Sequence, residues 1–123
     1  MIQQAILVGI GGAIGAILRY CINHLIESST FPTATLVVNI AGSFALGMLS
    51  IVAANSGFSD DVMLFFATGL LGAFTTMSSF SLETINLARD GNHWIAIAYS
   101  SLTFMLCISA ALIGWSIGDK ALT

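Results

Sequence analysis

A polar run, Thr75-Thr76-Met77-Ser78-Ser79-Phe80-Ser81, interrupts the third of four hydrophobic stretches in this chain and decides its fold. The apolar residues before it, at positions 62–74, are too few to cross a membrane, since a spanning helix needs about 20 mostly apolar residues. A helix that continued through the run would carry hydroxyls and the Glu83 carboxylate to mid-depth. Irregular backbone at that depth is tolerated only inside protein or beside a water-filled cavity. The run therefore predicts a functional helix break near residues 72–77. The alternative is an unbroken helix whose hydroxyls bond back to its own carbonyls.

The composition predicts an all-α membrane protein. Of the 123 residues, 57% are hydrophobic and 7% are charged, whereas a soluble domain has about 25% charged residues. We expect one integral membrane domain over residues 1–123 with four transmembrane helices, the third of them broken. The expected spans are residues 4–26, 33–54, 62–89 with the break near 72–77, and 93–117, with a turn at residues 28–32.

The short connections predict up-and-down threading with both termini on one side. Loop lysines and arginines normally set the orientation of such a bundle. Here Lys120 lies on the terminal side, and Arg89 together with Arg19 lies on the other, so the bias is weak and insertion in both orientations is compatible with it. Small residues one turn apart, such as Gly11 and Gly15, let helix backbones approach closely in lipid. Four helices of this size enclose no sizeable cavity, so we expect a homo-oligomer.

Several classes of function fit these residues poorly. The net charge of −3 includes no basic cluster, which argues against nucleic acid as a partner. Cys21 and Cys107 lie in apolar stretches and have neither a disulfide framework nor a metal-ligand spacing. The sequence contains no nucleophile–base pair and no phosphate loop in the required context, so we expect no enzyme.

Polar side chains inside the second and fourth spans are candidates for chemistry. Asn39 has Thr35 and Ser43 one turn on either side, and it is either a functional donor or a hydrogen bond that joins two helices. Tyr99 and Thr103 form a second stripe with Cys107, a pattern that taken alone is more typical of packing.

Charged and aromatic residues near the break leave further alternatives. Glu83 is a titrating site or a vestibule charge, and Arg19 attracts anions or is a snorkelling helix end. Phe74 and Phe80 flank the break, and the positive edge of an aromatic ring can meet an anion. Combined with the Asn39 amide and the hydroxyls, these rings favour an anion over a cation as the ligand.

Three ordered motifs resemble those of the small fluoride channels called Fluc or CrcB, over nearly the whole chain. They are residues 11–19, similar to GGxxGxxxR, residues 35–42, similar to TLxxNxxG, and residues 69–81, similar to GxxGGxTTFSTFS, followed by Glu83. The resemblance implies a passive, fluoride-selective channel that exports fluoride from the cytoplasm and protects against its toxicity. It also implies a multi-pass protein of the cell inner (plasma) membrane, working as an antiparallel, dual-topology homodimer.

The resemblance also implies which residues do the work. A structural sodium ion at the dimer centre would be held by the backbone carbonyls of Gly72 and Thr75. The expected fluoride pathway comprises Asn39, Met77, Ser79, Phe80, Ser81, Tyr99 and Thr103, and the possible vestibule charges are Arg19 and Glu83.

One position departs from the family pattern, and two other functions are possible. Met77 stands where the family has a first phenylalanine, and a thioether lacks the ring's positive edge although it still excludes water. A small multidrug-type proton-coupled transporter needs a membrane-embedded glutamate in its first helix, and this first span has none before Glu27. A non-transporting membrane assembly subunit would need no polar break.

Overall fold

Four long helices build the protein in the computed structural model, which describes residues 1–27 and 29–123. The first span is Ile2–Leu25, the second Thr33–Ser56, the third Asp60–Arg89 and the fourth His93–Leu122. All four are long and apolar enough to cross a membrane, and the described residues contain no strand. The all-α, four-span prediction is therefore confirmed. Ser28, the first residue of the predicted turn at 28–32, lies outside the described residues.

The outside of the bundle is apolar because little of each span is covered by the others. The buried share of the most apolar window is 11% in the first span and 22% in each of the other three. Large side chains such as Ile17, Phe104 and Leu112 lie exposed along the spans. Lipid is the solvent that such a surface requires.

The third span is broken in its middle, as the polar run predicts. Its first half-helix consists of Asp60–Met63, a π-helical segment Leu64–Leu71 and a last turn Gly72–Phe74. Its second half-helix is Met77–Arg89. Between them Thr75 (φ −79°, ψ 156°) and Thr76 (φ −149°, ψ 116°) are extended. Two extended residues end one helix and start the next, so the backbone leaves helical geometry near mid-span.

Glycines set the closest helix contacts. A Cβ on Gly11 would overlap the backbone carbonyl of Phe65, and one on Gly15 would overlap that of Leu70. These overlaps place the first span directly against the first half-helix. Gly47 meets the Ala111 carbonyl in the same way, so the second span packs closely on the fourth. The small-residue spacing at 11/15 is therefore used for helix packing, as expected.

The π-helical segment keeps this glycine contact in register, a feature that the sequence pattern did not indicate. Gly11 and Gly15 are four residues apart, one turn of an α-helix. Their partners Phe65 and Leu70 are five residues apart, one turn of a π-helix. One α-turn of the first span thus faces one π-turn of the third, and both glycines meet a carbonyl.

Candidate functional site

Asn39 bonds both backbone polar groups of Thr76, its N–H and its carbonyl, with the two ends of its amide. The Asn39 Nδ2 donates to the Thr76 carbonyl oxygen at 3.0 Å, and the Thr76 N–H donates to Asn39 Oδ1 at 2.8 Å. Both residues are buried. In lipid the Thr76 N–H and C=O have no water to bond, and an unpaired peptide group there costs several kcal/mol. Asn39 therefore joins two spans, as one of the two sequence interpretations holds, at the residue where the helix is broken.

The side chain of Thr76 starts the second half-helix. The Ser79 backbone N–H donates to Thr76 Oγ1 at 3.1 Å, which is the usual N-cap bond. The same hydroxyl donates to Ser79 Oγ at 3.1 Å and lies 3.2 Å from Ser78 Oγ. Thr76 thus caps the half-helix and bonds two other hydroxyls of the polar run. It belongs to the run that predicts the break, but it is not among the expected pathway residues. Its signal was present, since a Thr three residues before another polar residue is a common helix start.

The carbonyl side of the break has acceptors that no bond outside the helices uses. The Leu71 carbonyl accepts both the Thr75 N–H at 3.1 Å and the Thr75 hydroxyl at 3.0 Å. Within residues 1–27 and 29–123, the bonds formed outside the helices include none accepted by the Gly72 or Thr75 carbonyls. The end of a helix leaves its last carbonyls without helical partners and carries partial negative charge. Two predicted cation ligands therefore lie at a place rich in free backbone oxygen.

A groove of about 720 Å³ runs over the break on the face shared by the second, third and fourth spans. We call it the groove. Of the predicted pathway residues it contains Asn39, Met77, Phe80 and Thr103, and it also contains Gly72, Thr75 and Cys107. Its other polar residues are Ser43, Thr76, Ser100 and Ser101. The structure thus brings the two carbonyl residues, the Asn39 amide and the Phe80 ring to a single surface.

Thr103 contributes a buried hydroxyl to the groove. The residue is 8% exposed. In the described part of the chain, its Oγ1 is the one buried side-chain polar atom without a hydrogen-bond partner. By contrast Ser100, one turn away, donates its proton to the Ala96 carbonyl at 2.8 Å. A buried hydroxyl without a partner is costly, so Thr103 is suited to a ligand that enters the groove.

A second hollow, of about 520 Å³, lies at the end of the bundle where the first and second spans and the third and fourth spans are connected. We call it the vestibule. Glu83 and Asp90 contribute carboxylates to it, and Asn23, Asn86 and Asn92 contribute amides. The vestibule is therefore polar, whereas most of the groove surface is apolar.

Glu83 and Tyr99 lie between the vestibule and the groove. Thr35 Oγ1 donates to Glu83 Oε1 and Tyr99 Oη donates to Glu83 Oε2, each at 2.7 Å. The Tyr99 ring is fully buried, its centroid 5.5 Å from that of Phe31 and 5.2 Å from that of Phe80. Phe80 in turn lines the groove. Tyr99 and Phe80 thus connect the two hollows through adjoining rings.

Besides Tyr99 and Glu83, three predicted residues lie apart from the groove. The Ser81 hydroxyl is exposed on the protomer and donates back to the Met77 carbonyl at 2.9 Å. Ser79 is half-buried in the cap of the second half-helix. Arg19 is half-buried on the first span and belongs to neither hollow as the structure defines them. Their roles in ion passage stay predictions.

Comparison with known proteins shows the family to which the chain is related. A profile of the family described as "CrcB-like protein, Camphor Resistance (CrcB)" matches residues 6–115. The chain is 40% identical over 119 residues to the fluoride-specific ion channel FluC of Azobacteroides pseudotrichonymphae genomovar. CFP2, covering 94% of this chain and 95% of that one. It is 39% identical over 111 residues to FluC of Helicobacter pylori strain ATCC 700392 / 26695, covering 86% and 85%. It is 37% identical over 121 residues to FluC 1 of Listeria monocytogenes serovar 1/2a, covering 96% and 99%.

A multi-pass membrane protein with a helix broken at mid-span is the class that the fold and site define. The chain belongs to the CrcB family, whose curated relatives here are named as ion channels and not as enzymes.

Proposed function

We propose that this protein is a passive, fluoride-selective channel of the cell membrane that lets fluoride leave the cytoplasm and so protects against its toxicity. Relatives that match nearly the full length of the chain carry the name fluoride-specific ion channel. The physical support is the set of hydrogen-bond donors at the groove. The observation that carries the proposal is the buried Thr103 hydroxyl, which has no hydrogen-bond partner within residues 1–27 and 29–123.

The groove suits a small anion better than a cation. Fluoride is strongly hydrated, and moving a bare ion into an apolar medium would cost tens of kcal/mol. Donors must therefore replace its water. Thr103 offers one free proton, and Asn39 offers another, because its Nδ2 carries two protons and gives one to Thr76. The Phe80 ring adds a positive edge. The described residues that line the groove include no Asp, Glu, Lys or Arg.

The proposed assembly is a homodimer of two antiparallel copies that meet across the groove. The groove is flanked by large apolar side chains left exposed on the protomer, namely Met77 at 72%, Phe104 at 71% and Ile108 at 57% exposure. Polar backbone at membrane depth needs cover, since lipid cannot satisfy it. A second copy in the opposite orientation would supply that cover, and the weak charge bias between the two sides of the chain allows it.

The carbonyls of Gly72 and Thr75 fit a structural sodium ion at the centre of that dimer. Hard cations are bound by oxygen ligands, and these two carbonyls accept none of the bonds formed outside the helices of residues 1–27 and 29–123. The C-terminal end of the first half-helix carries partial negative charge, which also favours a cation there. A bound sodium ion would supply positive charge there, and the chain's part is to hold the two oxygens at the break through Asn39 and Thr76.

Fluoride efflux from liposomes tests the proposal. Purified protein is reconstituted with internal potassium fluoride, a potassium ionophore balances the charge, and a fluoride electrode records release. We expect rapid release of fluoride and none of chloride under matched conditions. Release indistinguishable from empty liposomes would refute the proposed function.

Two substitutions separate a channel from an assembly subunit. Phe80→Ile removes the ring edge and Asn39→Asp places a carboxylate at the groove. The proposed channel loses fluoride release with either change, and cells relying on it lose fluoride resistance. Unchanged resistance with both variants would favour a non-transporting subunit.

Replacing external and internal sodium by a large organic cation tests the sodium site, and we expect loss of dimer stability.

A further inference from the structure

Glu83 places a carboxylate beside the proposed route of a negative ion, and the hydrogen bonds it accepts suggest what it does there. Its two carboxylate oxygens each accept a hydroxyl proton at 2.7 Å, one from Thr35 and one from Tyr99. These donors come from the second and fourth spans and are 4% and 0% exposed. Bonds of this length to a carboxylate are of the strong, charge-assisted kind. The carboxylate is therefore held by two buried donors.

Those two donors are what a small anion would need at this point. A hydroxyl has a single proton to give, and Thr35 and Tyr99 both give theirs to Glu83. Thr35 also lines the vestibule, and Tyr99 lies against Phe80 of the groove. An anion passing from vestibule to groove meets these hydroxyls first. It finds them occupied by another anion, the side chain of Glu83.

We propose that Glu83 is an internal anion that competes with the permeating ion for the hydroxyls of Thr35 and Tyr99. A small anion that accepts hydrogen bonds strongly takes the two hydroxyls when the carboxylate turns into the vestibule, and the carboxylate returns when the ion moves on. The inference rests on the proposed function and adds to it. It explains how tight donors can release their ion, because a site that holds an ion too firmly does not conduct.

The vestibule can receive the displaced carboxylate. It has a volume of about 520 Å³ and is lined by Glu83 itself. Amides of Asn23, Asn86 and Asn92 line it as well and can donate to a carboxylate. Among the described residues, the titratable groups that face Glu83 are Asp90, just after the end of its half-helix, and Tyr99 on the fourth span, and the vestibule residues from the first and second spans are uncharged. Asp90 opposes the outward position by repulsion, which favours the return.

A structural role predicts something different from competition. If Glu83 only ties the second and fourth spans to the second half-helix, its loss weakens folding and reduces the number of active channels. The concentration of fluoride that half-saturates each channel would then stay the same. Competition instead changes that concentration, because removing a competitor strengthens the binding of the ion.

The test is the single-channel conductance in planar bilayers, measured against fluoride concentration for three proteins. Glu83→Gln removes the charge at nearly constant size and leaves one hydroxyl proton free, because its amide nitrogen donates. Asp90→Asn removes one charge from the same vestibule without touching the hydroxyls. For Glu83→Gln we expect half-saturation at about ten-fold lower fluoride, the factor of roughly one charge-assisted hydrogen bond, together with a lower maximum conductance. For Asp90→Asn we expect a change below about two-fold, since the charge is screened in a water-filled vestibule.

Either of two results overturns the inference. One is a half-saturating concentration in Glu83→Gln equal to that of the unchanged protein, and the other is an equal shift in Asp90→Asn. If Glu83→Gln does not assemble, Glu83→Ala takes its place. It removes the competitor and frees both hydroxyl protons, so the half-saturating concentration should fall by at least about ten-fold, and an unchanged value there overturns the inference too. An unchanged protein that conducts no fluoride would refute the proposed function instead, a result that the variants do not affect.

Discussion

Replacing Asn39 by alanine tests whether the helix break depends on a single amide. The change removes two hydrogen bonds and leaves the Thr76 N–H and C=O without partners at a buried position. An unsatisfied buried group costs about 1–3 kcal/mol, so the loss for the two groups is about 2–6 kcal/mol. An ordinary side-chain hydrogen bond between membrane helices averages only about 0.6 kcal/mol. The loss expected from two stranded buried groups is therefore larger than the loss expected from two ordinary hydrogen bonds, and an unfolding measurement can tell them apart.

Asn55→Ala is the matched control in the same span. Its Nδ2 donates to the Ile51 carbonyl at 2.9 Å in an exposed position, so its loss strands no buried group. Equilibrium unfolding of both variants in mixed micelles, followed by far-UV circular dichroism, gives the free energies. The measurement is repeated at several protein concentrations, because the stability of an oligomer depends on them. If the free energy of unfolding falls in Asn39→Ala by no more than about 1 kcal/mol beyond the fall in Asn55→Ala, Asn39 does not hold the break, since two ordinary hydrogen bonds account for that much.

Three further predictions concern packing, the free hydroxyl and the departure from the family pattern. Gly15→Ala should destabilise the protein by about 1–3 kcal/mol in the same unfolding assay, because its Cβ would overlap a backbone carbonyl, while Gly9→Ala, which meets open space, should be neutral or slightly stabilising. Thr103→Val should leave stability unchanged or raise it, since it replaces a buried hydroxyl that has no partner among the described residues, yet lower fluoride release from liposomes. Ser100→Ala, whose proton already goes to its own helix, should leave release unchanged, and equal release from both variants would contradict the role of Thr103. Met77→Phe should conduct fluoride, as should the unchanged protein; release from the phenylalanine form alone would identify this chain as an accessory subunit.

The membrane fold and the break were predictable because both follow from what lipid cannot do. A bilayer cannot bond a free peptide group or cover a charge, so apolar length and polar interruptions carry most of the information. The break near 72–77 lies at Thr75 and Thr76 in the structure. Ser81 shows the limit of this reasoning. Its hydroxyl bonds back to Met77, which is how every hydroxyl in an unbroken helix would behave, so only the residues before it distinguish the two interpretations.

Partner choice could not be read from the sequence. Thr35 and Asn39 are one turn apart on one helix and look alike as members of a polar stripe. In the structure Thr35 bonds Glu83 and Asn39 bonds Thr76, in two different parts of the third span. Which residue each one meets depends on the packing of the second span against the two half-helices. The π-helical segment was not predicted either, because its match to the glycine pair of the first span appears only once the two helices are packed together.

The two ends of the break leave different backbone groups unused, and this difference bears on which ions the break can hold. On the N–H side, Thr75 bonds Leu71, Thr76 bonds Asn39, and Ser79 bonds the Thr76 hydroxyl. On the carbonyl side, the oxygens at 72 and 75 lie beside an apolar groove, and within residues 1–27 and 29–123 they accept none of the bonds formed outside the helices. Lipid offers them no donor. Within the same residues the N–H groups of Met77 and Ser78, at the start of the second half-helix, also donate none of the bonds formed outside the helices. Both ends of the break therefore keep unused backbone groups: acceptors at the end of the first half-helix, and donors at the start of the second. A cation fits the first and an anion fits the second, which is why the proposed sodium ion and the proposed fluoride pathway can share one break.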